Sequence, residues 1–245
     1  MLLKLLSLLI LGFIALSSIL FFFIACIIYA LTAAFDKRRL WLHYFTCAWA
    51  SLYLIIVPHW QVRRLGLQHI DKKQAYVIVS NHQSGLDILL SFALFIPFKW
   101  VSKIEMFKVP FVGWNMWLNQ YIGLKRGDKH SIKNMLQQAE KHLKQGSSVY
   151  LFPEGSRSAD GKLKPFKLGA FSLAKHAEVA ILPIAIHGTA EALPKKSLQL
   201  TGHHPIYIQV LPAISTQQVA QMDEQSLASH TQQIIAKALT QTPST

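Results

Sequence analysis

The run from Leu5 to Phe35, without a single charged side chain, constrains this chain most. Backbone in so apolar a stretch has to satisfy its own amides and carbonyls, which an α-helix does within the segment. The run exceeds the roughly 20 residues a bilayer span needs. It is also about twice as long as the apolar core of a secretory signal, so it reads as a retained membrane-anchoring helix.

A second, thinner apolar block, Leu40 to Val57, carries Trp41, His43, Tyr44, Trp49 and Tyr53. Amphipathic rings favour headgroup depth. Lys37-Arg38-Arg39 separate the blocks and Arg63-Arg64 follow the second. Two full spans would put these basic clusters on opposite faces, against the positive-inside tendency. The open alternatives are one span or a helical pair dipping into one leaflet. Either leaves the remainder on the cytoplasmic face of a membrane, expected to be a bacterial inner membrane. Residues 1–58 are thus expected to anchor and 59–245 to form a folded domain.

The 245 residues allow one sizeable core plus an appendage. Mean hydropathy is +0.28, high for a soluble domain but accounted for by the N-terminal end. Net charge is +13, and nearly all of it falls after residue 35. A basic domain beside a bilayer is drawn to anionic lipid by about 1 kcal/mol per well-placed Lys or Arg. No zinc-finger spacing, RNP signature or arginine-rich arm accompanies that charge, so no nucleic-acid partner is expected. Cys26 and Cys47 sit in the apolar blocks as small hydrophobes. The eleven histidines are scattered, and His203-His204, beside a turn at Pro205, lack a spaced carboxylate, so no metal is expected.

Past a basic connector at 61–74, short β-rich runs at 75–79, 98–103, 148–152, 180–186 and 206–210 alternate with helical spacing at 88–95, 131–144, 167–176 and 225–239, before a polar tail with Pro243. The fold class is therefore α/β, a mixed, largely parallel sheet flanked by helices. Pro183 cannot donate to a ladder, which places it near an edge or a bulge. The aromatic stretch Val109-Pro110-Phe111-Val112-Gly113-Trp114 either packs internally or faces lipid.

Two polar corners leave strand ends. In Asn81-His82-Gln83-Ser84-Gly85-Leu86-Asp87, positions 82 and 87 would lie about 140° apart on one helix, so they meet only if His82 is in the loop and Asp87 in the first helical turn. The carboxylate would then fix the imidazole tautomer and leave the other nitrogen as a base. Ser84-x-x-Asp87 also has capping-box spacing. In Phe152-Pro153-Glu154-Gly155-Ser156-Arg157-Ser158, Arg157 offers a fork for phosphate, Glu154 an acceptor for hydroxyls and Gly155 a close backbone approach. An Arg–Glu pair in a surface turn is the ordinary alternative. Ligands of open α/β sheets bind in the crevice beyond the strand ends.

Together these corners resemble the NHxxxxD and FPEGTRS blocks of the glycerolipid (1-acylglycerol-3-phosphate) acyltransferase family, in the same order and about seventy residues apart. Ile122-Gly123-Leu124-Lys125-Arg126 and Ile181-Leu182-Pro183-Ile184-Ala185-Ile186 resemble its weaker blocks. The likeness covers roughly residues 60–210. Ser156 stands where Thr is commoner, and Leu124-Lys125-Arg126 replaces an aromatic-x-Asp-Arg pattern. The resemblance implies a membrane-bound enzyme moving an acyl group from an acyl-CoA or acyl carrier protein thioester, a co-substrate with no further cofactor, to the sn-2 hydroxyl of a lysophospholipid. It implies His82 as base, Asp87 as its orienter, and Glu154, Gly155, Ser156, Arg157, Arg126 and Lys103 as substrate-binding residues. The acceptor alcohol is itself the nucleophile, so no acyl-enzyme is needed. The alternatives are another acceptor, such as a larger lysophospholipid or lyso-ornithine lipid, or a basic membrane-surface scaffold. A serine hydrolase is disfavoured, since neither Ser84 nor Ser156 lies in G-x-S-x-G.

Overall fold

Apolar runs bury themselves on both faces only in the middle of a sheet. The computed structural model, which describes residues 2–57, 60–158, 162–194 and 203–241, places them there. Strands β1 (Trp60–Leu65), β2 (Tyr76–Ser80), β3 (Phe98–Lys103), β4 (Ile122–Leu124), β5 (Ser148–Leu151), β6 (Ala180–His187) and β7 (His204–Val210) form one sheet in the order β1-β7-β6-β2-β5-β3-β4. Its ladders are parallel except β6–β7.

Side chains alternate across each strand. Tyr76 and Ile78 join Tyr150 and Leu182 on one face, under α2 (Leu40–Ile56) and α3 (Leu86–Phe92). Val77 and Val79 join Val149 and Ile181 on the other, under α5 (Lys129–Lys144), α6 (Gly169–His176) and α9 (Glu224–Thr240). Cys47, Ala50 and Leu54 of α2 belong to the first cluster, so α2 is a layer of the α/β body as well as part of the apolar N-terminus. The expected boundary at residue 58, like the tail with Pro243, lies outside the described residues.

Three expectations shift. The connector contains β1, an edge strand that leaves both Arg63 and Arg64 exposed, with the Arg64 guanidinium donating to Ala93 O at 3.0 Å. Pro183 lies in an interior strand, where the ladder is interrupted: Ile181 bridges Ile214 and Ile184 pairs with Val210, so one segment carries one more residue than its partner. The bulge alternative therefore holds and the edge does not, because the proline nitrogen needs no acceptor at the mismatch. Pro205 is the second residue of β7 rather than a turn, opposite Gln61 of the edge strand.

Helix α1 (Leu2–Thr32) runs along the body rather than away from it. Leu6, Ile10 and Ile14 meet Val57, Trp60 and Leu193. Further along, the Ser17 and Ser18 hydroxyls lie 2.9 and 3.0 Å from the Tyr53 hydroxyl. Phe21 then meets Trp49 at 5.5 Å between ring centroids, and Phe22 meets Phe111 and Trp114 at 5.9 and 5.5 Å. The opposite side exposes Leu8, Leu16, Leu20, Phe23, Ile27 and Leu31. Phe111 leads into α4 (Val112–Leu118) at φ 61°, with Val112 N–H donating to Pro110 O at 2.6 Å, a γ-turn that presents its ring to Phe22. The aromatic stretch thus packs internally through Phe111 and Trp114, while Val109, Val112 and part of Trp114 remain exposed.

Candidate active site

β2 and β5 are parallel neighbours, and Val79 is in register with Leu151. The two polar corners therefore leave the same sheet edge side by side. Asn81 fastens the first: its amide donates to Ile186 O at 2.9 Å and its Oδ1 accepts Ile186 N–H at 2.8 Å.

His82 occupies the loop, and Asp87 the first turn of α3. Their Nδ1···Oδ2 separation is 2.8 Å. Asp87 is fully buried, and its carboxylate is correspondingly well served. Oδ2 also accepts the Gln83 and Ser84 amides at 2.7 and 2.9 Å, and Oδ1 accepts the Thr189 hydroxyl at 2.6 Å. The Ser84 contact is the carboxylate's half of a capping box, so Asp87 caps the helix and orients the imidazole at once. An oxygen already accepting two amides is matched by a donor, which puts the proton on Nδ1 and leaves the Nε2 lone pair free. Phe152 stacks on the imidazole at 3.8 Å and 9°, and Trp100 backs Phe152 at 5.1 Å.

Glu154 joins the corners. Oε1 accepts His82 N–H at 2.7 Å and Oε2 accepts Lys164 N–H at 3.0 Å, while Ser158 N–H donates to His82 O at 2.8 Å. Burial pushes its carboxyl above the ordinary range, opposed by those two amides. Each oxygen thus takes one backbone amide, and Glu154 clamps the corners together. Gly155 takes φ +71°, and a Cβ there would lie 2.9 Å from Lys167 Nζ. Ser156 Oγ accepts from Lys164 Nζ at 3.1 Å, which also donates to Arg157 O at 2.9 Å. The Arg157 guanidinium lies against Gly85 of the first corner, 3.9 Å from where a Cβ would stand. Among the described residues no carboxylate pairs with it.

Lys103 and Arg126 are less closely drawn in. They end or follow β3 and β4, on the same edge but two and three strand spacings from β2, about 10 and 14 Å. Lys103 pairs with Glu105 at 3.2 Å, both half-exposed. Arg126 is exposed.

Thr189, Lys164 and the stacking role of Phe152 escape the motif reading. Thr189 begins α7 (Thr189–Ala192) directly after Gly188, whose φ of +76° and close approach to Pro205 O, 2.1 Å from a notional Cβ, leave no room for another residue. A glycine and a hydroxyl just beyond the fourth block were the available signal. Among the described residues no three His, Cys, Asp or Glu side chains gather as a metal site would require.

This edge is the part of the chain that comparison with known proteins picks out. The model of the family described as "Acyltransferase" matches residues 61–187. The chain belongs to that acyltransferase family. It is 39% identical over 68% of its length to the chloroplastic 1-acyl-sn-glycerol-3-phosphate acyltransferase of Arabidopsis thaliana, covering 46% of that protein. It is 37% identical over 53% of its length to the 1-acyl-sn-glycerol-3-phosphate acyltransferase of Pseudomonas aeruginosa, covering 50% of it. The chain thus spans about half the length of the curated relatives it matches. The crystal structure of the Thermotoga maritima 1-acyl-sn-glycerophosphate acyltransferase superposes with a TM-score of 0.75 over 97% of both chains at 21% identity, which establishes a shared fold.

Proposed function

We propose that this protein transfers a fatty acyl group from an acyl thioester to the sn-2 hydroxyl of 1-acylglycerol-3-phosphate, giving phosphatidic acid. One observation carries the reading: an imidazole oriented by a saturated carboxylate stands beside an arginine free of any carboxylate partner among the described residues. A base and an anion grip on adjoining corners suit a phosphorylated alcohol.

In the proposed reaction His82 Nε2 takes the hydroxyl proton as the oxygen attacks the thioester carbonyl. Asp87 stabilises the imidazolium so formed. Collapse of the tetrahedral intermediate breaks the C–S bond, and the imidazolium returns its proton to the departing thiolate of coenzyme A or acyl carrier protein. Arg157, with Lys164 and Lys167 on the same loop, holds the phosphate, a charge-assisted contact contributing on the order of 1.5–3 kcal/mol. Lys103 and Arg126 extend that positive edge.

The placement of α1 supports a membrane-embedded acceptor. Leu193 O accepts the Ser84 hydroxyl at 2.7 Å, and Leu193 packs beside Ile10 and Val57, so the catalytic corner adjoins the N-terminal half of the apolar helix. Held side-on, α1 would lie in one leaflet with its outer face in hydrocarbon. The lysolipid phosphate would then meet Arg157 without its chain being extracted, which costs about 0.8 kcal/mol per methylene.

Acyl transfer by purified protein in mixed micelles, with lysophosphatidate, lysophosphatidylcholine and lyso-ornithine lipid as acceptors and coenzyme A or acyl carrier protein thioesters as donors, tests the proposal. His82→Ala is expected to lower turnover by roughly 10²–10⁴ while lipid binding persists. Equal turnover in the variant would remove His82 from the role of base, and lipid binding without turnover on any acceptor would leave a lipid-binding scaffold as the reading.

A further inference from the structure

The sheet has a second charged edge. At the end opposite the catalytic corners, Lys37 and Arg39 of the α1–α2 connector face the end of α5 across a cavity of about 470 Å³, lined also by Ala33, Trp117, Lys141 and His142. Three cations and no carboxylate line it. Behind it lies Lys99, which burial pushes down to about 7, with Asp36 opposing and Arg39 and Arg38 reinforcing the shift. Asp36 is the acid nearby, and its carboxylate accepts the Trp41 amide at 2.9 Å. Glu140 is paired with Lys144 at 2.6 Å. Among the described residues neither Lys37 nor Lys141 has a carboxylate partner.

Two residues of the wall are themselves buried. Arg39 and His142 are each about nine-tenths buried, and Arg39 Nε and His142 Nδ1 lack a hydrogen-bond partner. Unsatisfied buried nitrogens are costly, and so is concentrated positive charge without a counter-ion. Arg39 is held with φ 56°, its Nη1 on Ala33 O and Asp36 O and its guanidinium over the Tyr29 ring. Burial, with Lys99 and Lys141 close by, pushes His142 down to about 4, so it adds donors and acceptors without charge.

The chemistry at the rim identifies the kind of anion. Trp117 lines the cavity and is 59% exposed, and Leu31, Phe35 and Trp41, all exposed, flank the connector. A free anion has no use for this apolar rim, whereas a phosphate ester carrying acyl chains uses both. We infer that this cavity is a second lipid site, which receives the phosphate headgroup of an anionic phospholipid while its chains run along α1 and α4. It is separated from His82 by the length of the strands, so this lipid is neither the acceptor nor the product leaving the catalytic corner. Basic pockets beside membrane helices recognise headgroups in this way.

The experiment uses the full-length protein in a non-ionic detergent, with short-chain dihexanoyl phosphatidylglycerol as probe and dihexanoyl phosphatidylcholine as control. Binding is followed by Trp fluorescence and native mass spectrometry. The wild type is expected to bind phosphatidylglycerol in preference to phosphatidylcholine. Lys37→Gln with Lys141→Gln is expected to weaken that binding about tenfold or more, with thermal unfolding unchanged. Lys72→Gln with Lys73→Gln removes the same charge from a distant exposed turn and is expected to leave binding intact. Equal affinities of the wild type and the Lys37/Lys141 variant would overturn the proposal, as would an equal loss in the Lys72/Lys73 variant, which would indicate diffuse charge. Displacement of the lipid by equimolar inorganic phosphate or coenzyme A would replace it with a soluble-anion site. None of these outcomes depends on turnover, so they are independent of the acyl-transfer reading.

Discussion

At the scale of single residues, the carboxylate of Asp87 has the heaviest duty. A buried ionised group is tolerated when hydrogen bonds replace its hydration, and here two amides, an imidazole and a hydroxyl do so. Thr189 supplies the bond to the oxygen that does not face His82, which makes it a positioning residue acting through Asp87. Thr189→Val removes a bond to a charged group and lets the carboxylate turn about its own axis. Turnover is expected to fall about tenfold, the rate equivalent of one such bond, with KM for the acceptor unchanged, while Thr189→Ser restores it. Steady-state kinetics on the pair check this; a rise in KM, or no rescue by serine, would reduce Thr189 to a packing role. His82 and Asp87 were legible in the sequence because helical geometry requires a loop histidine and a first-turn aspartate if the two are to meet, and because their corner resembles the NHxxxxD block. The role of Glu154 was not, because its two partner amides belong to a different corner and to Lys164, and only the register of β2 against β5 brings them into reach.

At the scale of elements, apolar runs announced β2, β5 and β6, since strands buried on both faces have no alternation to hide behind, and β-branched and aromatic residues announced β3 and β7. β1 went unread because an edge strand carrying two exposed arginines, Arg63 and Arg64, looks like any basic connector. α2 was read as a shallow membrane block, and its composition is the same whether it meets lipid or the underside of a sheet. Lys99 records how it joins that sheet. It is 1% exposed, and its Nζ donates to Arg38 O and Asn119 O, both at 2.8 Å. Burial pushes it down to about 7, with Asp36 opposing and Arg39 and Arg38 reinforcing the shift. A neutral amine has two hydrogens for those two carbonyls. Unfolded, the lysine keeps its ordinary value near 10.5, so between about 7 and 10.5 the unfolded chain binds a proton that the folded one does not. Stability should therefore rise with pH across that window, by on the order of a few kcal/mol, and be lowest below it. Denaturation in detergent at pH 7 and pH 9.5 is expected to show this gain in the wild type and not in Lys99→Met. An equal gain in both would place its source elsewhere.

At the scale of the whole molecule, the two apolar helices have different duties. α2 contributes Cys47, Ala50 and Leu54 to the core that also holds Ile78, Leu90 and Leu182; removing it would bare one face of the sheet. α1 touches the body along one side and leaves the other, from Leu8 to Leu31, exposed and apolar. A chain lacking residues 2–35 is therefore expected to keep a cooperative thermal transition, lowered by the loss of the Phe21, Phe22 and Ile10 contacts, and to stop floating with vesicles. It should acylate a short-chain, monomeric lysolipid far better than a bilayer-embedded one. A chain lacking residues 2–58 should lose the transition altogether, because truncating even one large core side chain typically costs about 2–5 kcal/mol and a whole layer exceeds the 5–15 kcal/mol that holds a domain together. Calorimetry, flotation and the two acceptor assays on both truncations separate the duties. If the longer truncation folds, α2 is an appendage. If the shorter one works equally well on embedded lysolipid, α1 does not bring the catalytic corner to the bilayer. The differential loss expected of the shorter truncation follows from geometry: Leu193 touches both the Ser84 corner and the α1 contact with Ile10, so in the proposed reaction an α1 anchored at the interface would set the depth at which His82 meets the acceptor.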